Sequence, residues 1–361
     1  MRNGFSNFVG LASKYFVDAK AILPILIGRY KKYHLSSDGF IEQKKYEKGF
    51  AKYYQENLLP LVKEFEERRL KRLGQARIFL LLSFPGAIGI ITGVVYYYKF
   101  YAPSDLDQDY FTPAVLLALS LFYFALWPLR KYKARIKGKI FPKVFNFFGD
   151  FKYNSKCSGG RLEVLEDSQI LPNYNRLFCE DEVVGCYKNV AIDFFETRLT
   201  RVNGHGKSRG TQYLFTGVMV LFDVKKNFKG KTIIVQDHGK IGNWLKKKFK
   251  ALENVKLEDP RFEKMFEVYS SDQIEARYLL TTSFMERLLA LGSLLKSSNI
   301  EASFFNDKLL IKFTTKGLKM FEPKTPLYPE DFVDDCRKCL KEIALMCSII
   351  DVLKLDMDIG M

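Results

Sequence analysis

Residues 78–98 read IFLLLSFPGAIGIITGVVYYY, and residues 111–129 read FTPAVLLALSLFYFALWPL. Neither stretch contains a charged side chain, and at about 1.5 Å of rise per residue each forms a helix of roughly 28–32 Å. That length matches the hydrocarbon core of a bilayer, which is about 30 Å thick. The two stretches therefore predict a membrane protein with a transmembrane helical hairpin.

The charged residues around these stretches predict the orientation of the hairpin. Five cations lie between 68 and 77, and seven cations without any acid lie between 130 and 143, whereas loop 99–110 carries three Asp and one Lys. Because cytoplasmic flanks are enriched in Lys and Arg, both termini are expected in the cytoplasm. We expect a multi-pass protein of the cytoplasmic (inner) membrane. Its predicted parts are an N-terminal cytoplasmic helical region (1–77), the hairpin (78–129, with spans 78–98 and 111–129) and a cytoplasmic domain (130–361).

The distribution of charge also bears on binding partners. The chain has a net charge of +16, but most of the excess flanks the apolar stretches, and residues 144–361 are close to neutral. Proteins that bind nucleic acid usually carry a basic stripe on the folded domain itself, so nucleic acid is not an expected partner. Residues 130–143, the basic collar, are instead expected to face anionic phospholipid headgroups.

Small residues at a spacing of four occur in both apolar stretches. Gly89 and Gly93 lie on one face of the first, and Ala114 and Ala118 lie on one face of the second. Small residues at this spacing allow helix backbones to approach closely in lipid. We expect these residues to pack the two helices of the hairpin together, with homodimerisation through the glycines as the alternative.

The residues after the basic collar predict an α+β domain with a largely antiparallel sheet. A continuous apolar run, residues 218–222, is typical of a central strand. Asp259-Pro260 is a helix-start pair, Ser270 and Gln273 fit a capping box for a further short helix, and Asn306-Asp307 fits a hairpin turn. The predicted strand regions are 183–202, 211–224, 232–236, 300–305 and 309–314, and the later predicted helices are 283–295 and 329–355.

Residues with potential chemistry are scattered. The six cysteines show no disulfide framework and are interpreted as reduced thiols, and Cys336-x-x-Cys339 lacks the further ligands that a zinc site requires. The acid-rich stretch 257–275 is compatible with acid–base chemistry, but helix caps and solvated faces explain it as well. We therefore assign no catalytic residue, no metal ligand and no cofactor.

Residues 259–288, DPRFEKMFEVYSSDQIEARYLLTTSFMERL, resemble the signature of a bacterial inner-membrane family that is known only as a domain of unknown function. The resemblance extends more weakly over 50–69, 147–153, 180–196 and 215–237. It implies an N-terminal helix, two membrane spans and a cytoplasmic α+β domain, and it implies no activity. Members of the family often occur beside LemA-type membrane proteins, so the resemblance suggests such a protein as a partner.

Two functional hypotheses follow from these observations. The first is a membrane-anchored, non-enzymatic protein whose cytoplasmic domain binds another protein; the alternative is a membrane-tethered enzyme or ligand-binding domain of unrecognised type. Within the signature, one group of residues is expected either to hold two helices together or to form a recognition surface. The candidates are Tyr269, Asp272, Gln273, Glu275 and Arg277.

Overall fold

The computed structural model describes residues 19–30, 39–100, 111–157, 162–204, 210–224, 228–236, 251–295, 297, 299–316, 320–324, 327 and 331–357. The chain divides into two compact units. The first, here called the helical unit, comprises Met1–Lys143 and Glu322–Arg337, and the second, the sheet unit, comprises Val144–Phe321 and Lys338–Met361. The division into 1–77, 78–129 and 130–361 stays a prediction.

The helical unit is built around one very long helix. The helices in the chain up to Phe145 are α1 (Ala19–Leu26), α2 (Phe50–Tyr53), α3 (Leu59–Phe100), α4 (Phe111–Ala125), α5 (Trp127–Lys139) and α6 (Phe141–Phe145). Helix α2 runs into α3 through a π-helical turn at Tyr54–Leu58, so Phe50–Tyr97 forms one helix that is long and apolar enough to cross a membrane. Helices α4 and α5 are bent by 47° relative to one another, and this bent pair is a second candidate span.

The π-helical turn has a local cause in Pro60. Proline has no N–H to donate to the carbonyl four residues earlier, and its ring clashes with that carbonyl in an α-helix. The wider turn at Tyr54–Leu58 ends two residues before this position. The side-chain amide of Asn57 donates to the carbonyl of Tyr53 at 3.1 Å, so one carbonyl within this irregular stretch finds a partner.

Helices α3 and α4 pack against each other. Ser83 Oγ donates to the carbonyl oxygen of Leu121 at 3.3 Å, and the rings of Phe84 and Phe122 meet edge to face at 5.1 Å. Ala87, Ala114 and Ala118 are buried at this contact. A methyl group added at Gly89 or Gly93 would meet no described atom within 4 Å. The described contact face of α3 runs through Ser83 and Ala87, so the packing role of Gly89 and Gly93 stays a prediction.

A buried ion pair lies in the part of α3 that precedes the apolar residues 78–98. Arg69 is completely buried; its Nε and Nη2 each donate to the Glu66 carboxylate at 2.7 Å, and its Nη1 donates to the carbonyl of Leu327 at 2.7 Å. Beside it, the hydroxyl of Tyr132 on α5 donates to the carbonyl of Phe65 at 3.1 Å. Polar groups thus join α3 both to α5 and to the segment around Leu327.

The sheet unit contains one antiparallel sheet, which confirms the predicted sheet type. Nine strands in the described part of the chain lie in the order β1-β2-β3-β4-β9-β8-β5-β7-β6. They are β1 (Lys152–Lys156), β2 (Arg176–Tyr187), β3 (Val190–Asn203), β4 (Gly210–Asp223), β5 (Thr232–Gln236), β6 (Glu253–Val255), β7 (Phe266–Ser270), β8 (Ile300–Phe305) and β9 (Lys308–Thr314). The helices that accompany them are α7 (Leu162–Asp167), α8 (Pro260–Glu263), α9 (Gln273–Leu279), α10 (Thr282–Leu295) and α11 (Asp331–Leu353).

Both faces of the sheet are covered. Successive side chains along a strand point to opposite faces, and apolar side chains occupy both. Phe305 belongs to a core cluster with Phe195, Met219 and Leu165, and the last of these lies on α7. Phe304 points to the opposite face, where its ring lies 5.6 Å from that of Phe284 on α10. Helix α7 therefore covers one face of the sheet, and α10 covers the other.

The centre of the sheet requires a glycine at one position. Gly217 on β4 pairs beside β9, and a Cβ atom at this residue would overlap the backbone carbonyl oxygen of Phe313. The same strand begins with Gly210, where an added Cβ would meet nothing within 4 Å in the described part of the chain. Only the first of these glycines is fixed by packing.

Candidate functional site

The signature segment 259–288 folds as helix, strand, helix, helix. Asp259 caps α8 as predicted, with its carboxylate accepting from the backbone N–H groups of Arg261 and Phe262. The side chain of Arg261 also donates to Asp259, and this contact holds the pKa of the Asp259 carboxyl below its ordinary value. The next element is strand β7, which pairs with β5 and β6. No strand was predicted between the two helix starts, so the sequence interpretation missed β7.

Asp272 is the N-cap of α9. Its Oδ1 atom accepts from the backbone N–H groups of Ile274 at 2.9 Å and Glu275 at 3.0 Å. The predicted capping box placed the cap at Ser270, which is wrong by two residues because Ser270 still belongs to β7. The hydroxyl of Ser270 instead accepts from the backbone N–H of Asp272 at 3.1 Å. Strand and helix are thus joined by hydrogen bonds within three residues.

Glu275 binds the loop that precedes β5. Its carboxylate accepts from the backbone N–H of Lys229 at 3.0 Å and from that of Gly230 at 2.7 Å. A Cβ at Gly230 would lie 2.9 Å from Ser271 Oγ and 3.1 Å from Glu275 Oε2, so a side chain would displace the carboxylate. The sequence suggested Phe228-Lys229-Gly230 as part of the resemblance, but not its contact with Glu275, which lies 45 residues from Gly230.

The remaining candidate residues divide between the interior and the surface. Tyr269 is buried in the core cluster, and its hydroxyl donates to Glu267 at 2.6 Å. Gln273 and Arg277 lie at the surface, where Gln273 donates to Glu253 and Arg277 donates to Gln273 at 3.3 Å. Asp272 and Glu275 therefore fix the position of α9, Tyr269 belongs to the core, and Gln273 and Arg277 lie on the outer side of α9.

The outer side of α9 exposes two large apolar side chains. Ile274 is 74% exposed and Tyr278 is 62% exposed, and Arg277 lies between them. Positions three and four residues apart share one face of a helix, so the three side chains form one surface. We call Ile274, Arg277 and Tyr278 the α9 face.

The acid-rich stretch also borders a small cavity beside β6. Its volume is about 80 Å³, and its walls include Lys256, Glu263 and Glu267. Glu263 accepts from the backbone N–H of Leu257 at 2.8 Å, and Glu267 accepts from the hydroxyl of Tyr269. Both carboxylates are bound to groups of the protein itself, and the volume is well below the roughly 300 Å³ of typical small-molecule pockets.

The cysteines of the sheet unit differ from the interpretation as reduced thiols. Lys156 on β1 faces Glu180 on β2, so the next pair in register, Cys157 and Cys179, meets in a disulfide with a Cα–Cα distance of 5.7 Å. Burial raises the pKa of the Cys347 thiol to about 12. Cys336 and Cys339 are buried on α11, and the described residues contain no group of three or more His, Cys, Asp or Glu suited to a metal ion.

Residues 213–355 match the family described as "Protein of unknown function (DUF3137)". The predicted resemblance to a family defined only by a domain of unknown function is confirmed over this range, which includes the signature segment. No curated protein matches. Among solved structures, a crystal structure of the mycobacterial trehalose monomycolate transport factor A is similar at 10% identity and a TM-score of 0.33, covering 61% of this chain and 97% of that chain.

Proposed function

We propose that this chain, which contains a domain of unknown function, is a membrane-anchored protein. Its sheet unit binds another protein through the α9 face. The observation that carries the binding role is the exposure of Ile274 and Tyr278 on a helix that Asp272 and Glu275 hold in place. Because this helix is already ordered, binding requires little further ordering of the surface. Tyr and Arg are also residues that often dominate the energetics of protein interfaces.

The apolar helices support the membrane anchor. In the most apolar 18-residue window of Phe50–Tyr97, only 17% of the residues are buried, whereas the core helix of a soluble protein is mostly buried. Leu82, Ile88 and Phe124 are exposed on α3 and α4. Large exposed apolar side chains grouped on two neighbouring helices mark a contact with a membrane or with another protein. We therefore propose that α3 and α4 form a two-helix transmembrane hairpin.

The side of the membrane follows from the flanking charges. Residues 130–143 contain seven cations and no acid, and loop 99–110 is acidic, so the proposal places both termini and the sheet domain in the cytoplasm. The Cys157–Cys179 disulfide argues for the opposite side, because disulfides are rare in a reducing cytoplasm. The flanking charges act on insertion itself, whereas a single pair of facing cysteines can form a transient bond in the cytoplasm, so the proposed orientation follows the charges.

Thiol labelling in spheroplasts tests this topology. Cys186 is free and exposed in the sheet unit, and Ser104 is a position in the predicted loop outside the described residues. We expect a membrane-impermeant maleimide to label Ser104→Cys in intact spheroplasts, and to label Cys186 only after permeabilisation. Labelling of Cys186 in intact spheroplasts would show that the sheet domain lies outside and would overturn the proposed orientation.

Substitution of the α9 face tests the binding role. With the full chain carrying Ile274→Glu and Tyr278→Glu, the amount of partner that co-purifies in mild detergent should fall at least tenfold relative to the parent. The reason is that interface anchors often contribute 2 kcal/mol or more. A LemA-type membrane protein is the first partner to test. The measurement is quantitative mass spectrometry of the purified complex.

A matched control removes the same apolar character elsewhere. Leu294→Glu with Met357→Glu changes two other exposed apolar residues and should leave the partner bound. Equal retention by both double variants, or the absence of any partner from the parent, would contradict binding through the α9 face.

A further inference from the structure

The cations of α5 are not equivalent in the structure. Lys137 Nζ lies 2.8 Å from Glu322 Oε1, and the guanidinium of Arg130 lies 3.6 Å from the centroid of the Tyr123 ring and donates to the carbonyl of Tyr123. On the buried side of this helix, Leu129, Tyr132 and Ile136 pack into the helical unit. Lys137 and Arg130 therefore have partners within the protein.

Lys131, Arg135 and Lys139 are exposed on α5, beside its buried side. They are four residues apart, so their side chains follow one another along one side of the helix. In the described part of the chain, none of the three makes a hydrogen bond or an ion pair. Like charges at this spacing destabilise a helix, so the arrangement favours a bound anion that offsets the repulsion. We call these three residues the cationic face.

An exposed aromatic residue lies at the end of this face nearest to the apolar helices. Trp127 precedes Lys131 by four residues, is 53% exposed and stacks with Phe124 at 6.4 Å. Trp is enriched where a membrane helix meets the headgroup layer. Along one side of α5, the exposed surface thus changes from apolar to aromatic to cationic over three turns.

We propose that Lys131, Arg135 and Lys139 bind the phosphate groups of anionic phospholipids. The proposal rests on the membrane position given above and assigns lipid binding to three of the seven cations of the basic collar. At about 1.5 Å per residue, Lys131 and Lys139 lie roughly 12 Å apart along the helix. With α4 taken along the membrane normal, the 47° bend after α4 gives a difference in depth of about 8 Å, close to one Debye length at physiological salt. All three cations therefore lie close enough to the membrane surface to attract anionic headgroups, and Lys131 attracts them most strongly.

Energy transfer from Trp127 to labelled lipids measures this binding in the full chain. The chain has two tryptophans, so Trp244→Phe leaves Trp127 as the only donor. The protein is reconstituted into phosphatidylcholine vesicles that contain a small fraction of pyrene-labelled phosphatidylglycerol or, separately, pyrene-labelled phosphatidylcholine. We expect several-fold more transfer to the anionic lipid, and the excess should fall as the salt concentration rises.

The triple variant Lys131→Gln, Arg135→Gln, Lys139→Gln should lose this excess. The control Lys256→Gln, Lys264→Gln, Lys316→Gln removes the same charge from exposed positions of the sheet unit and should keep it. Equal transfer to both lipids by the inserted parent, or an equal loss in both triple variants, would overturn the lipid site while leaving the anchor intact. Loss of the excess on adding inorganic phosphate at constant ionic strength would assign the face to free phosphate instead. Failure of the parent to insert into vesicles would overturn the proposed membrane anchor itself.

Discussion

Replacing Gly217 by alanine should lower the free energy of unfolding of the sheet domain by about 3 kcal/mol or more, at the upper end of the cost of overpacking. The new methyl group would overlap the carbonyl oxygen of Phe313, a backbone atom that cannot rotate away. Relief therefore requires β4 and β9 to separate in the middle of the sheet. In a domain of this size, the melting temperature should fall by about 6–12 °C.

Gly210→Ala is the control for this substitution. Both residues are glycines of β4, so both changes reduce the freedom of the unfolded chain in the same way. The control should melt at or slightly above the temperature of the parent, because an added Cβ meets nothing there within 4 Å in the described residues. Thermal unfolding of the detergent-solubilised full chain, followed by far-UV circular dichroism, provides the comparison. Identical melting of the two variants would contradict the close contact between β4 and β9.

Replacing Arg69 by alanine should cost about 3–5 kcal/mol, because it leaves the buried carboxylate of Glu66 without its bidentate partner. The carbonyl of Leu327 would lose its donor as well. Lysine should not restore the contact, since its single ammonium group cannot bind both carboxylate oxygens and a carbonyl in the geometry of a guanidinium. The expected result is a large fall in the thermal stability of the detergent-solubilised chain.

The neighbouring residue supplies the control. Arg68 lies 2.6 Å from Glu64, but both side chains are 40% or more exposed, and pairs of this kind contribute about 0–1 kcal/mol. Arg68→Ala should therefore change the melting temperature little. A double variant with Arg69→Met and Glu66→Leu should recover much of the loss, because it removes the unpaired charge. Equal melting temperatures of Arg69→Ala and Arg68→Ala would contradict a stabilising role of the buried Arg69–Glu66 pair.

Local sequence signals predicted those elements whose cause is local. The Asn306-Asp307 turn joins β8 to β9, with Asn306 at a positive φ of 54°, and Asp259-Pro260 begins α8. The uncharged run 78–98 likewise lies within one long helix. In each case a few adjacent residues determine the structure, so the pattern is visible in the chain itself.

The missed features depend on residues far apart in sequence. Strand β7 has only five residues and is flanked by helices, and its extended form is stabilised by pairing with β5 and β6. The same holds for the Cys157–Cys179 pair, which is produced by the register of β1 and β2, and for the contact of Glu275 with Gly230. The spacing of Gly89 and Gly93 was visible, but the contact of Ser83 with Leu121 was not.

The candidate site was predicted in part for the same reason. The sequence predicted the start of α9 to within two residues, with the cap at Ser270 instead of Asp272, whereas the division of the signature into interior and surface residues depends on how α9 lies on the sheet. Tyr269 and Arg277 are eight residues apart, yet one is buried in the core and the other is exposed. Whether the α9 face binds a partner stays a proposal.

Because α3 is long, a small change in its tilt moves its end a large distance. Its 42 residues extend about 63 Å, roughly twice the thickness of a bilayer core, and the 19 residues before the apolar run account for about 28 Å of this length. A tilt of about 10° about the start of the apolar run displaces the Leu59 end of this segment of about 28 Å sideways by about 5 Å. Helices tilt when the bilayer becomes thinner. In the proposed orientation, a change in membrane thickness is therefore converted into a lateral movement of the segment that carries the Arg69–Glu66 pair.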